Sequence, residues 1–150
     1  MQLTPANPDY AARTRDSFAR QTFMDTIGMR VTNIAPGEFD TEMAFADAYQ
    51  QQHGFLHGGV VSTGLDSVCG FCALTLVAAD AGVLTVENKT SFLAPADGES
   101  FRFEGRVIKP GRTLIFCGAK AFAIKDGVEK LCATMTSTVM CVEGREGVKG

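Results

Sequence analysis

The chain is predicted to be an α+β domain, a curled antiparallel sheet wrapped around one central buried helix. Two observations predict it. Gly58 to Ala79 reads as about six helical turns carrying a single charged residue, Asp66. A helix apolar on nearly every side must be covered by other structure. Four β-type segments then follow in a row, joined by tight turns, and such a run pairs antiparallel. At 150 residues the chain is the size of one compact domain, so one domain over residues 1–150 is expected.

The elements follow in order. Pro8-Asp9 opens an extra N-terminal helix over residues 9–27, with Ala19, Phe23 and Ile27 at i, i+4 and i+8 and Gly28 as its stop. Residues 29–35 and 38–46 form a hairpin around Pro36-Gly37. Residues 48–56 are a polar loop ahead of the central helix. Residues 83–93 are the next strand, closed by Ala94-Pro95-Ala96-Asp97-Gly98. Phe101, Phe103, Gly105 and Val107 alternate with Arg102, Glu104, Arg106 and Ile108 up to Pro110-Gly111. Residues 114–124 lead to the Lys125-Asp126-Gly127 turn, and residues 131–142 complete the sheet.

Composition narrows the function. With 45% hydrophobic and 21% charged residues the chain is not disordered. A net charge of −3 argues against a nucleic-acid-binding face, so Phe101 and Phe103 are core or interface rather than a base-stacking platform. Met1 to Pro8 lacks the basic start and apolar run of a secretory signal. Val68 to Ala79 is about half the length that spans a bilayer. Five cysteines without an export signal point to a reducing cytoplasm. No membrane association is expected.

Two features between Gln51 and Asp66 carry the chemistry. His57-Gly58-Gly59 starts the central helix, where unpaired N–H groups and a partial positive charge suit an anion or a developing oxyanion. The same glycines would equally serve a turn in which backbones pack closely. Asp66 needs a reason too, because an unpaired carboxylate in an apolar helix is costly. It is either bonded to Ser62, Thr63 or a neighbouring strand, or it lines a cleft as base or nucleophile. Gly59 and Asp66 are seven residues apart, roughly 10 Å along one helix. A reacting carbonyl needs its donor and its attacking group within roughly 3–3.5 Å. For both to act on one substrate, two copies must meet about a twofold axis with the helices antiparallel. The expectation is a homodimer with two shared sites.

Other candidates carry less. Cys69-Gly70-Phe71-Cys72 lies beyond the second turn of an apolar helix, away from the helix start that activates a thiol, so it is packed core. Cys117, Cys132 and Cys141 sit on separate strands and complete no zinc set. His53 and His57 cannot share a metal with Asp66 within one chain, and no metal site is expected. Asn88-Lys89-Thr90 fits a glycosylation sequon, which is idle in the cytoplasm.

Gln51-Gln52-His53-Gly54-Phe55-Leu56-His57-Gly58-Gly59, with Asp66 nine residues after His57, resembles the signature of hotdog-fold acyl-CoA thioesterases of the PaaI-like, phenylacetate-pathway family. The likeness continues through residues 84–96 and 107–114. It implies the hotdog fold and hydrolysis of acyl- or aryl-CoA thioesters without a cofactor. Asp66 matches the family's catalytic acid, as general base or nucleophile. Gly59 and Gly58 match the backbone donors that polarise the thioester carbonyl, and His57 matches the motif histidine that holds carbonyl or loop. Gln51 stands where many relatives carry Asn, with a longer reach, and Thr85 where some carry a water-positioning Ser. Lys109 and Arg112 resemble residues that meet the phosphates of coenzyme A, and read equally as solvated turn charges. The implied partners are an acyl-CoA substrate and a second copy of the chain, as a dimer or as two dimers paired into a tetramer. The rival readings are a hotdog dehydratase or hydratase and a non-catalytic acyl-CoA-binding protein.

Overall fold

A computed structural model describes residues 3–150. Its elements are α1 (Tyr10–Ala19), α2 (Thr22–Thr26), β1 (Arg30–Ala35), β2 (Glu38–Ala44), a 3-10 turn at Asp47–Tyr49, α3 (Gly58–Leu74), β3 (Gly82–Phe92), β4 (Ser100–Lys109), β5 (Leu114–Lys125) and β6 (Val128–Val142). The six strands form one sheet in the order β1-β2-β4-β5-β6-β3, and every neighbouring pair is antiparallel. The segment holding α3 carries the chain from β2, near one edge, to β3 at the other. Register shifts in β1, β3, β4 and β6 add local twist and curl the sheet around the helix.

The core lies between α3 and the inner face of the sheet. Inner positions of β4 and β5 alternate as read from the sequence: Phe101, Phe103 and Gly105, then Ile115, Cys117, Ala119, Ala121 and Ala123, are all buried. Small residues there let the helix come close. A Cβ on Gly105 would stand 2.2 Å from the Val68 carbonyl oxygen, and one on Gly64 would stand 2.5 Å from the Phe103 ring. Gly105→Ala therefore forces backbone apart, and no rotamer relieves it. It is expected to cost about 3 kcal/mol, lowering Tm by roughly 6–12 °C in a chain this size. Thermal unfolding followed by circular dichroism checks this, and an unshifted Tm would refute the close contact.

Three expectations for the helices are corrected. The N-terminal helix is not continuous over residues 9–27: Gln21 takes an extended backbone and divides it into α1 and α2. Its buried residues are Thr14, Phe18, Met24 and Ile27, whereas Ala19 is exposed and Phe23 is 55% exposed. The cause is aromatic packing. Phe18 sits 5.5 Å from Phe39 and 5.3 Å from Phe71 (ring centroids), which turns a different face of α1 inward. The central helix ends at Leu74, not Ala79. There the Thr75 hydroxyl donates to the Cys72 carbonyl at 2.6 Å and accepts from the Gly37 N–H at 2.8 Å, pinning the helix end to the β1–β2 turn. Nor is α3 enclosed all round. Val61, Leu65, Val68 and Cys72 are buried, but Gly59, Thr63, Asp66, Ser67 and Gly70 form a small, polar face that is left partly open.

The strands agree more closely. β6 starts three residues earlier than read, at Val128 rather than Leu131. Asp126 and Gly127 both take positive φ, a two-residue turn that pairs Lys125 directly with Val128. Cys69, Cys72, Cys117 and Cys132 are free and buried, and burial pushes the Cys69 and Cys72 thiols up, which suits inert packing. Among the described residues no helix is long and apolar enough to cross a membrane.

Candidate active site

Asp66 stands midway along α3, on its open face. Its Oδ1 accepts two hydrogen bonds from β3, one from the Thr85 hydroxyl at 3.0 Å and one from the Asn88 side-chain amide at 3.2 Å. The strand geometry explains the pair. Residues three apart on a regular strand point to opposite faces. Val86, however, is the extra residue of a bulge between Thr85 and Glu87, so Thr85 and Asn88 share a face. The second carboxylate oxygen, Oδ2, has no hydrogen-bond partner among the described residues. It is held in place by its neighbour atom and left open to water or substrate.

Beside the carboxylate lies a cleft of about 390 Å³. Ser17 of α1 and Gln21 at the break between α1 and α2 flank its Asp66 end, Gly70 and Phe71 line it along α3, and Val148 lies at the C-terminal tail. The break at Gln21 matters here, because it turns the chain beside Asp66 rather than past it.

The start of α3 forms a second cluster. His57 is the helix N-cap, and its Nδ1 accepts the Gly59 N–H at 2.8 Å. An accepting Nδ1 on a neutral ring leaves the proton on Nε2. The Gly59 donor is thus occupied within the chain, while the Gly58 N–H has no hydrogen-bond partner among the described residues. Gly58 is glycine for a reason of space: a Cβ there would stand 3.2 Å from the Phe92 ring. His57 is anchored in turn by its own N–H, which donates to the Tyr49 carbonyl at 2.8 Å.

Gln51 belongs to neither cluster. Its side-chain oxygen accepts the His53 N–H, and its carbonyl accepts the Gly54 N–H at 3.0 Å. The side chain thereby shapes its own loop and keeps its amide N–H groups free. Lys109 and Arg112, at the β4–β5 turn, are exposed and make no ion pair among the described residues. Neither lines the Asp66 cleft. The chain therefore joins Asp66 to Thr85, and His57 to Gly58 and Gly59, and keeps the two groups about two helical turns apart. Asn88 was missed from the sequence, where it stood only as part of a sequon. The bulge that turns it toward Asp66 has no sequence mark.

Comparison with known proteins finds similar chains among thioesterases. A thioesterase family protein from Silicibacter pomeroyi is 52% identical, with a TM-score of 0.89 over 90% of this chain and 99% of that one. The E. coli PaaI protein of the phenylacetic acid degradation operon shares the fold at 12% identity, with a TM-score of 0.80 over 96% and 98% of the two chains. Acyl-coenzyme A thioesterase 13 of Homo sapiens is 30% identical over 87 residues, which is 57% of this chain and 61% of that protein. The chain thus spans less than two thirds of that curated relative's length. Residues 53–130 match the family model of the thioesterase superfamily, and this match, taken with the 52% identity, establishes that the chain is a member of that superfamily.

Proposed function

We propose that the protein hydrolyses acyl- or aryl-CoA thioesters in a homodimer with two shared active sites. The observation that carries it is the Asp66 carboxylate, with Oδ1 fixed by Thr85 and Asn88 and Oδ2 open beside a ligand-sized cleft. A fixed carboxylate with one free oxygen suits a general base. It takes a proton from water as the water oxygen attacks the thioester carbon. The C–S bond then breaks, and the proton passes to the departing thiolate, giving free acid and coenzyme A. The same oxygen could instead attack the thioester carbon directly, displacing the thiolate to leave a mixed anhydride on Asp66 that water then hydrolyses, and the products are identical.

The polarising donors are those of the His57-Gly58-Gly59 cluster. The Gly58 N–H is free, and the Gly59 N–H becomes free when the His57 ring turns aside. Since one helix keeps this cluster about 10 Å from Asp66, the partner copy must supply it. The exposed edge of β3 supports such a copy. It runs eleven residues and pairs only on its β6 side. Leu84, Val86 and Phe92 on it are 41%, 56% and 58% exposed. A long, unpaired edge is a template for another strand, and two such edges meeting about a twofold axis bring α3 of one copy toward α3 of the other. In that setting the free amide of Gln51 is available to the neighbouring site, and exposed Lys109 and Arg112 are free to meet the phosphates of coenzyme A. Five unpaired cysteines suit a reducing, cytoplasmic location.

Acetyl-, hexanoyl-, phenylacetyl- and palmitoyl-CoA incubated with the protein and a thiol reagent test the reading. One thiol released per free acid formed is the expected result for at least one of them. A new double bond or hydration without thiol, or binding of all four without turnover, would overturn it.

A further inference from the structure

Gly70 is unlike the other glycines of α3. Gly64 is required by packing, since its Cβ would strike Phe103, and Gly58 is crowded by Phe92. A Cβ on Gly70 would meet nothing within 4 Å. Glycine inside a helix is nonetheless unfavourable relative to alanine. Neither backbone conformation nor packing within the chain accounts for it, because its φ is not positive and its surroundings are empty. What Gly70 does adjoin is the Asp66 cleft.

The cleft has a direction. Asp66, Gly70 and Leu74 are i, i+4 and i+8 on one face of α3 and all line it, so it runs about 12 Å along the helix. Its Asp66 end is polar, with Thr85, Ser17, Ser67 and Gln21. Beyond Gly70 it runs between the apolar side chains of Phe71, Leu74 and Val83, with Lys149 of the tail also on its lining. Its far end is closed by the C-terminal tail: Val148 lies 2.9 Å from where a Gly82 Cβ would be, and the Gly150 N–H reaches the Ala81 carbonyl at 3.4 Å.

We propose that this cleft is the acyl subsite, that Gly70 is the specificity-determining position over which the acyl group lies, and that Val148 is its end wall. The inference rests on the reading of Asp66 as the hydrolytic carboxylate. With the carbonyl beside Asp66, the acyl group passes across the bare backbone of Gly70 toward Leu74 and Val83. A volume of about 390 Å³, near the lower end for small-molecule sites, holds a compact acyl group. The tail stops a long unbranched chain. Gly70, midway along the cleft, and Val148, at its far end, thus gauge its depth at two points.

The ratio of kcat/KM for hexanoyl-CoA to that for acetyl-CoA is the measurement. Gly70→Leu puts a side chain in the path of the longer group and is expected to lower the ratio by at least ~20-fold, in the range that apolar pockets discriminate by a few carbon atoms. Gly70→Ala is the milder companion. It should raise Tm by about 2–4 °C through helix propensity while still lowering the ratio several-fold. A gain in stability with a loss of selectivity is not what a merely structural glycine would produce. Val148→Ala should raise palmitoyl-CoA turnover relative to hexanoyl-CoA. An unchanged hexanoyl-to-acetyl ratio in both Gly70 variants would overturn the subsite, whatever the overall rate. If the wild-type protein turns over no thioester, the hydrolytic reading fails separately, and the same ratio taken from equilibrium dissociation constants of the two CoA esters decides the subsite.

Discussion

Asp66→Asn is expected to lower kcat for CoA-thioester hydrolysis by at least ~100-fold while the protein folds with unchanged or raised stability. The geometry separates the two effects. An asparagine carbonyl oxygen at the Oδ1 position still accepts from Thr85 and Asn88, so the anchoring of the side chain to β3 survives. What is lost is the free oxygen, Oδ2, replaced by an amide that can neither take a proton from water nor attack a carbonyl. Removing a half-buried charge also removes its desolvation cost, which is why Tm should hold or rise. Single-turnover thiol release and thermal unfolding on the same preparation check both halves. Near-normal thiol release from the folded variant would return Asp66 to the role of a carboxylate that merely ties α3 to β3.

The hotdog architecture was legible because its determinants are local and strong. A helix with one charge in it had to be covered, and four strands separated by Pro-Gly and Asp-Gly turns had to pair antiparallel. The order of strands was not legible. Whether β3 pairs β4 or crosses to β6 depends on where α3 sends the chain, and periodicity says nothing of that. The buried face of the N-terminal helix escapes the sequence for a related reason. Ala19, Phe23 and Ile27 share one helix face on paper, but the Phe18–Phe39–Phe71 cluster, assembled from three distant segments, decides which face goes in. At the site, Asp66 announced itself as the lone charge in an apolar run, and the resemblance pointed to Thr85. Asn88 stayed hidden because only a bulge brings it round. The capping of Gly59 by His57 was equally unreadable, since a side chain two residues away could point to either side of the helix start. Gly70 was hidden inside a C-x-x-C and drew attention only to its neighbours.

If the two clusters that one helix holds about 10 Å apart serve one thioester from different copies, as proposed, mixing two inactive variants should restore activity. The pair is Asp66→Asn, which removes the attacking group, and Gln51→Ala, which alters the loop and the free amide offered to the partner. Each is purified, unfolded, mixed in equal amounts and refolded. Random pairing makes about half of the dimers hybrid. In a hybrid, one site collects both lesions and the other collects neither, so the mixture should recover ~25% of wild-type activity by the same twofold counting. Against variants reduced ~100-fold, that is a large rise. The alternative outcome is equally sharp. If Gln51 and Asp66 served a site within one chain, every site would keep a lesion and mixing would restore nothing. Should Gln51→Ala retain much of its activity alone, Gly59→Leu takes its place. Gly59 is exposed, and its new side chain would displace the His57 ring and fill the space where a carbonyl would reach the helix start. The helix argument requires that one of these two pairings regain activity, with hybrid formation confirmed by native mass spectrometry. Hybrids that form and stay inactive in both pairings would place each site within a single chain, and His57, Gly58 and Gly59 would then be helix-capping residues with no hold on the substrate.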